Sequence, residues 1–354
     1  MAANTAAPPQ ARFEIVGPQD APDWDAYVLS HPKGTVFHSS AMVRAFAAAK
    51  GHQPLAIAAR DSEGDLAALL VAVRVNTLGG PASRFASRSI FYAEPFCRDD
   101  EVGAAALSQL LRAHDRRMSG VLFAEVRPIN APGRERAVLV SHGYPWLDYL
   151  NYVVDLRADE HILHTNLHKS LRKQLKRNAE RGVDVELADP IGGVEQMYGH
   201  LELSYARSGV PLADISLFEA VLAELPSNAV SVRTVRHQGQ PVASSICLFF
   251  KDRMYGWYGG SQRISGVSPD DSITWHEMLT ARSWGATCYD FGGAGWPDEE
   301  YGPRSFKAKF GGELVNFGRY RKVFGPLRMK LATAAYAATR RFVAPSVKVN
   351  DTGK

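Results

Sequence analysis

Cysteine is nearly absent from this chain: Cys97, Cys247 and Cys288 are the only three in 354 residues. An odd number at wide spacing builds neither a disulfide framework nor a zinc site, and it fits a reducing compartment, the cytoplasm. Long apolar runs are missing too. The longest, Leu66 to Val73, stops at Arg74, far short of the roughly 20 residues needed to cross a bilayer. The first residues, M-A-A-N-T-A-A-P-P-Q-A, have neither the basic start nor the apolar core of a secretory signal, so 1–11 reads as a disordered lead-in. Nor is there a strong charge bias. Against 37 acidic residues stand 41 lysines and arginines, a net charge of +4 that permits an anionic partner without demanding one. Finally, no G-x-S-x-G elbow, Walker loop, His-Glu-x-x-His or dinucleotide fingerprint with its acidic partner occurs, which removes the hydrolase and kinase readings.

What is present is enough apolar material, 45% of residues, for two cores of roughly 150 residues each. In the first half, Leu55–Arg60 and Leu66–Val75 flank Asp61-Ser-Glu-Gly-Asp65, a hairpin with turn chemistry at its tip. Strand candidates then surround Arg84 to Phe91, and helix and strand alternate up to a strand at Leu147–Leu156. The second half repeats a similar order of elements, ending in a strand pair around Leu314 to Val323. The expected class is α/β (α+β), each half a mixed sheet flanked by helices, with domains at 12–157 and 158–325 and a basic C-terminal helix and tail at 326–354.

Two basic segments bear on partners. Over His161 to Arg181 a single helix is expected, with Leu163, Leu167, Leu171 and Leu175 as an inward stripe and Lys169, Arg172, Lys173, Lys176 and Arg177 opposite. A solvated face explains the charges, and an RNA or membrane-phosphate footprint is the alternative. His161, His164 and His168 share its start but have no evident carboxylate or thiolate to complete a metal site, so no metal is expected. Arg319 to Phe342 interleaves basic and apolar residues, which suits the anionic inner face of a membrane or docking on the protein itself.

The chemistry concentrates in the last third. Cys288-Tyr-Asp-Phe-Gly-Gly-Ala-Gly295 brings a short strand into a glycine turn, and P-R-S-F-K-A-K-F-G-G-E, from Pro303 to Glu313, closes on a second Gly-Gly. Glycines that let backbone approach a ligand bracket one lysine-bearing helix, which marks a built pocket at Gly292 and Gly293. Asp290 points into that cleft as a base or orienter, or else caps the following turn. Upstream, Arg263-Ile-Ser-Gly-Val-Ser268 joins a strand to a helix that opens with Pro269, Asp270 and Asp271. Such a turn is either an anion site at a helix N-terminus or a plain connection. It resembles the Arg/Gln-x-x-Gly-x-Gly/Ala loop with which GNAT acyltransferases hold coenzyme A, and departs from it at Ser268 and through the two aspartates.

The segments Y-G-W-Y-G-G-S, T-W-H-E-M-L-T-A-R-S-W-G-A-T-C-Y-D-F-G-G and S-F-K-A-K-F-G-G-E resemble the second domain of Fem-type peptidoglycan-bridge aminoacyltransferases and their FemAB-related relatives in exopolysaccharide systems. The likeness runs from about His168 to Tyr320, and more faintly over Gly34 to Phe96. It implies two tandem GNAT-like domains and amide-bond formation from an acyl-CoA or aminoacyl-tRNA donor onto an amine of an envelope precursor or polysaccharide. The absence of a long helical arm argues against tRNA. The family's Phe-Lys pair falls on Phe306 and Lys307, which implies that Lys307, steadied by cation–π contact, stabilises charge at the reacting carbonyl or on its phosphate-bearing donor. A family tyrosine falls on Tyr258 as donor or relay; strict alternation sends Tyr255 and Trp257 to the other strand face, with Trp257 also a substrate contact. Arg207, in S-Y-A-R-S-G, matches a family arginine-glycine pair and is either an acceptor clamp for a carboxylate or phosphate or a solvated helix end, with Tyr205 beside it a further substrate-binding candidate. Arg263, Gly266 and Ser268 would hold the donor. A degenerate pair acting as an RNA or membrane adaptor and a small-molecule N-acetyltransferase stay open as alternatives.

Overall fold

A computed structural model describes residues 13–76, 87–188 and 193–331. The lead-in over 1–11, part of the strand pair expected around Arg84, and the basic C-terminal segment past residue 331 lie outside the described residues.

The chain begins β1 (Glu14–Val16), α1 (Trp24–Ser30), α2 (Ser40–Ala48), β2 (His52–Arg60), β3 (Leu66–Asn76), β4 (Ser87–Phe91), β5 (Phe96–Cys97), α3 (Glu101–Met118), β6 (Phe123–Val126), α4 (Arg134–Ser141), β7 (Trp146–Leu147) and β8 (Leu150–Asp155). It continues α5 (Glu160–Asn166), α6 (Lys169–Glu180), β9 (Val183–Leu187), α7 (Val194–Ser208), α8 (Ile215–Glu224), β10 (Val230–His237), β11 (Gln240–Phe250), β12 (Arg253–Ser261), α9 (Pro269–Ser283), β13 (Cys288–Gly295), α10 (Gly302–Lys307), β14 (Glu313–Asn316) and β15 (Arg319–Val323). Local chemistry sets many of these bounds. Asp61 accepts from the amides of Glu63 and Asp65 and so turns the β2–β3 hairpin. Ser39 caps α2 through the amide of Met42, and Asp100 caps α3 through that of Gly103.

Two mixed sheets result, and they trade strands. The first runs β1-β2-β3-β4-β6-β15-β7, with β5 beside β3; the second runs β14-β8-β13-β12-β11-β10-β9. The strand expected to close the first half, β8, therefore lies inside the second sheet, antiparallel to both β13 and β14. In return β15, expected in the second half, is inserted between β6 and β7 of the first. A cut at residue 157 does not separate the two sheets. Alternation along a short strand says which face is buried, not which sheet receives it.

The halves also share a core. Met42 and Phe46 of α2 pack in one buried cluster with Leu217, Phe218 and Val221 of α8 and Ile246 of β11, each large side chain worth roughly 1.5–3 kcal/mol on burial. The expected single helix over His161 to Arg181 is broken. Leu167 is extended, His168 caps α6, and Arg172 closes the end of α5 through the carbonyls of Thr165 and Leu167. Leu163, Leu167 and Leu171 still point into the core, whereas Lys169, Lys173, Lys176 and Arg177 are exposed.

Two departures from regular pairing shape the centre of the second sheet. β12 and β13 run parallel and pair only from Arg253 with Cys288 to Tyr255 with Asp290, after which they part. Opposite, the β11–β12 register slips between Ile246 and Cys247, leaving Trp257 as the extra residue of a bulge.

Candidate active site

The parting of β12 from β13 opens a slot. A cavity of about 560 Å3 enters it from one face of the second sheet, lined by Gly256, Trp257, Tyr258, Phe291, Phe306 and Lys307 among others. On the other face, toward the first sheet, lies a cavity of about 220 Å3 whose walls include Tyr149, Arg127, Arg319, Asp290, Gly292 and Gly293. Gly256, Trp257 and Phe291 line both. A third and larger space, about 990 Å3 between the halves, shares Trp257, Tyr258 and Tyr205 with the slot.

Lys307 sits at the slot. Once β12 has left, the carbonyls of Phe291 and Gly293 have no strand to bond, and Lys307 Nζ donates to both, at 2.8 and 2.6 Å. Arg304, one turn earlier, clamps the carbonyls of Ala294 and Trp296, so α10 is pinned along β13 by two cations. Burial lowers the Lys307 pKa to about 8, opposed by the field of Asp290. An ammonium has three donors, so one remains for a ligand. The expected cation–π contact belongs to the neighbour instead: Lys309 Nζ lies 5.4 Å from the Phe306 ring centre.

Asp290 both caps the following turn and lines the smaller cavity. One carboxylate oxygen accepts from the amide of Gly292 at 2.7 Å, forming the turn, and Gly292 is left-handed at φ +67°. The other, Oδ2, is buried with no hydrogen-bond partner, 3.5 Å from Arg253 Nη1, and the residue lines the smaller cavity. Burial raises its pKa above the usual carboxylate value, with Arg253 opposing. Gly293 is required by packing, because a Cβ there would stand 2.8 Å from the Tyr149 ring.

The bulge overturns the alternation expected for β12. Trp257 lines all three spaces, Tyr258 two of them, and Tyr255 only the smaller one. Tyr258 stacks on Tyr205 at 5.7 Å and meets Phe218 edge-on at 4.9 Å. Burial keeps its phenol protonated far above its ordinary range. Arg207, by contrast, is occupied: it donates to the Ser261 carbonyl at 2.7 Å and to Ser204 Oγ at 2.8 Å, tying α7 to the end of β12.

The Arg263 to Ser268 loop is tied to α6. The Ser268 amide is already bonded to Asn178 Oδ1 at 3.1 Å, Gln174 and Arg181 hold the carbonyls of Gly266 and Ser265, and the Arg181 guanidinium fills the space a Cβ on Gly266 would need. Asp270 and Asp271 occupy the first turn of α9, where their charge already answers the helix dipole. Arg263 is exposed.

Two groups escaped the reading of the sequence. Glu277, fully buried on α9, accepts from Ser245 Oγ at 2.9 Å and Ser231 Oγ at 3.0 Å beneath the slot, and burial raises its pKa to about 7. Its signal was an acid in the apolar stripe with Ile273 and Ala281. The second group is a row of arginines, Arg88, Arg127 and Arg319, facing the cleft; their signal was charge at every second position of short strands. Among the described residues no cluster of three metal-binding side chains occurs, and no helix is long and apolar enough to cross a membrane.

A parallel strand pair splays beside a helix with a ligand-sized slot in the gap, and residues 165–302, under half of the chain, match the family model for an acetyltransferase (GNAT) domain. Over the whole chain the fold is a Fem-like tandem of two such units. It superposes on the crystal structure of FemX with a TM-score of 0.66 at 16% identity, covering 91% of this chain and 99% of that one. A lysylphosphatidylglycerol synthetase C-terminal domain described as putative, from Agrobacterium fabrum, gives 0.55 at 19% identity over 91% and 96%. A tandem GNAT protein from the clavulanic acid biosynthesis pathway gives 0.54 at 10% over 89% and 99%. No curated protein sequence matches significantly.

Proposed function

We propose that this chain is an N-acyltransferase that joins an acyl or aminoacyl group to an amine of a cell-envelope precursor or polysaccharide. One observation carries the reading: two cavities on opposite faces of the second sheet meet at the splay, with Lys307 on one side and the unpartnered oxygen of Asp290 on the other. The acyl donor occupies the slot with its carbonyl at the gap, and the acceptor amine arrives from the cleft. Asp290 Oδ2 takes the amine proton as nitrogen attacks the carbonyl carbon. The third donor of Lys307 supports the developing oxyanion, and the neutral phenol of Tyr258 is the acid available to the leaving group. Holding both reactants across one gap supplies much of the rate.

The envelope setting draws on the fold shared with FemX and the lysylphosphatidylglycerol synthetase domain. Work at the cytoplasmic face, with peripheral membrane contact through the basic segments, accords with it. The donor is an ester or thioester whose acyl end enters the slot without a pyrophosphate anchored at Ser268. Isothermal titration of acyl-CoA thioesters and of aminoacyl-tRNA, followed by mass spectrometry for amide product, tests this. One of the two donors is expected to bind and turn over; binding of neither, with no amide from any amine pool, would refute the reading.

A further inference from the structure

Strand exchange builds a second feature in the cleft. On the face of the first sheet turned toward the second, β4 presents Arg88, β6 presents Glu125 with Arg127 just past its end, and the imported β15 presents Arg319 and Arg321; the register sets Ile90 beside Glu125 and Arg321 across from Glu125. Four guanidiniums thus face a single carboxylate. Glu125 is engaged by three of them, Arg127 at 2.8 Å, Arg319 at 3.0 Å and Arg321 at 2.5 Å, and their charges hold its pKa down to about 2. Arg88 has no ion pair among the described residues, and its Nε is buried without a partner. Arg319 is steadied from behind by the Tyr149 ring, 3.5 Å from its guanidinium carbon.

Arg88 is half-buried with its Nε enclosed and unpartnered, and a cation so placed favours an answering anion. No protein carboxylate answers it here, although Glu125 lies on the same face. Arg127 and Arg319 line the 220 Å3 cavity whose opposite wall is Asp290, and Arg127 with Arg88 lines the larger space beyond. The smaller cavity is below the size of most ligand pockets and admits only the head of a molecule. Amine and anion must then sit close together on that head.

We infer that Arg88, Arg127 and Arg319 form an oxyanion subsite that recognises a phosphate or carboxylate carried by the acceptor within a few bonds of its reacting amine. The identity of that amine rests on the acyl-transfer reading above; the subsite itself does not. Guanidinium forks pair with such groups bidentately, and sheet-borne arginines held by Glu125 and Tyr149 are pre-set for it.

The test is binding without turnover. Inorganic phosphate and O-phosphoethanolamine are titrated calorimetrically into the full chain, with ethanolamine as the amine lacking an anion, and vesicles of phosphatidylcholine with and without phosphatidylethanolamine form a separate arm that asks whether the group arrives on a lipid. Saturable binding of phosphate and O-phosphoethanolamine but not ethanolamine is expected, weakened about tenfold or more in Arg88→Gln and in Arg319→Gln. Arg88→Gln should melt no lower than the parent, since it removes an unpaired charge, and Arg319→Gln leaves Glu125 two partners. Equal phosphate affinity in parent and both variants, or ethanolamine binding as well as O-phosphoethanolamine, overturns the inference. Lys307→Ala, which leaves the arginines alone, should bind phosphate normally; lost transfer beside intact phosphate binding separates the two readings.

Discussion

Replacing Lys307 by alanine removes two kinds of interaction with different magnitudes. In the resting protein its ammonium bonds the carbonyls of Phe291 and Gly293. Charge-assisted bonds are worth roughly 1.5–3 kcal/mol each, but enclosing the charge, which brings its pKa to about 8, cancels part of this. A net loss of about 1–3 kcal/mol is expected, which a chain with two buried cores survives, so the melting temperature should drop by only a few degrees. In transfer, loss of an oxyanion donor costs about 10²–10³ in rate. The assay is amide formation by mass spectrometry at fixed folded concentration, across pH. Because the lysine acts as a cation and titrates near 8, the parent's rate should fall as pH rises through that value once the rise from acceptor deprotonation is divided out. In Lys307→Ala that descending limb should vanish along with most of the rate. If the variant melts lower yet turns over at the parental rate per folded molecule, Lys307 is only a prop for β13 and the assignment fails.

Two further substitutions probe the scaffold. A Cβ on Gly260 would stand 2.2 Å from the His200 carbonyl, so Gly260→Ala must push α7 off β12; a loss of about 1–3 kcal/mol is expected in denaturant titration, with impaired transfer because Tyr205 moves too. For Glu277, a folded pKa near 7 against about 4.3 unfolded means the native state holds its proton longer, so stability falls as pH rises from the unfolded value through 7. Glu277→Gln should therefore be stabilising by up to about 3 kcal/mol at pH 8 and nearly neutral at pH 4, read from melting curves at both; an equal effect at the two pH values would contradict the burial account.

Features written in local chemistry were legible in the sequence. The β2–β3 hairpin, the leucine stripe of α5 and α6, and the glycine-framed strand with its lysine helix all follow from turn residues and period. What escaped depends on distant partners. The bulge at Trp257 is invisible to alternation because it is fixed by the register against β11. The helix break at Leu167 arises where His168 donates its amide to the Lys309 carbonyl across the fold. Of the two readings open for Arg207, its bonds to Ser204 and Ser261 show a helix end tied to β12, and the arginines facing the cleft lie on strands that only the sheet order brings together; the contacts of Asn178 and Arg181 with the loop before α9 are likewise long-range.

The exchange of β8 and β15 also has a consequence for how the protein is made. Arg319 and Glu125, joined in the first sheet, are 194 residues apart in sequence. A chain emerging from the ribosome at about 5–20 residues per second completes neither sheet until β14 and β15 are out. The amino-terminal half must wait with β6 and β7 unpaired at their shared gap, and β8 must be held in reserve for a sheet not yet synthesised. Closure of the first sheet is thereby tied to synthesis through β15, and a nascent chain stalled before residue 319 lacks the strand that joins β6 to β7.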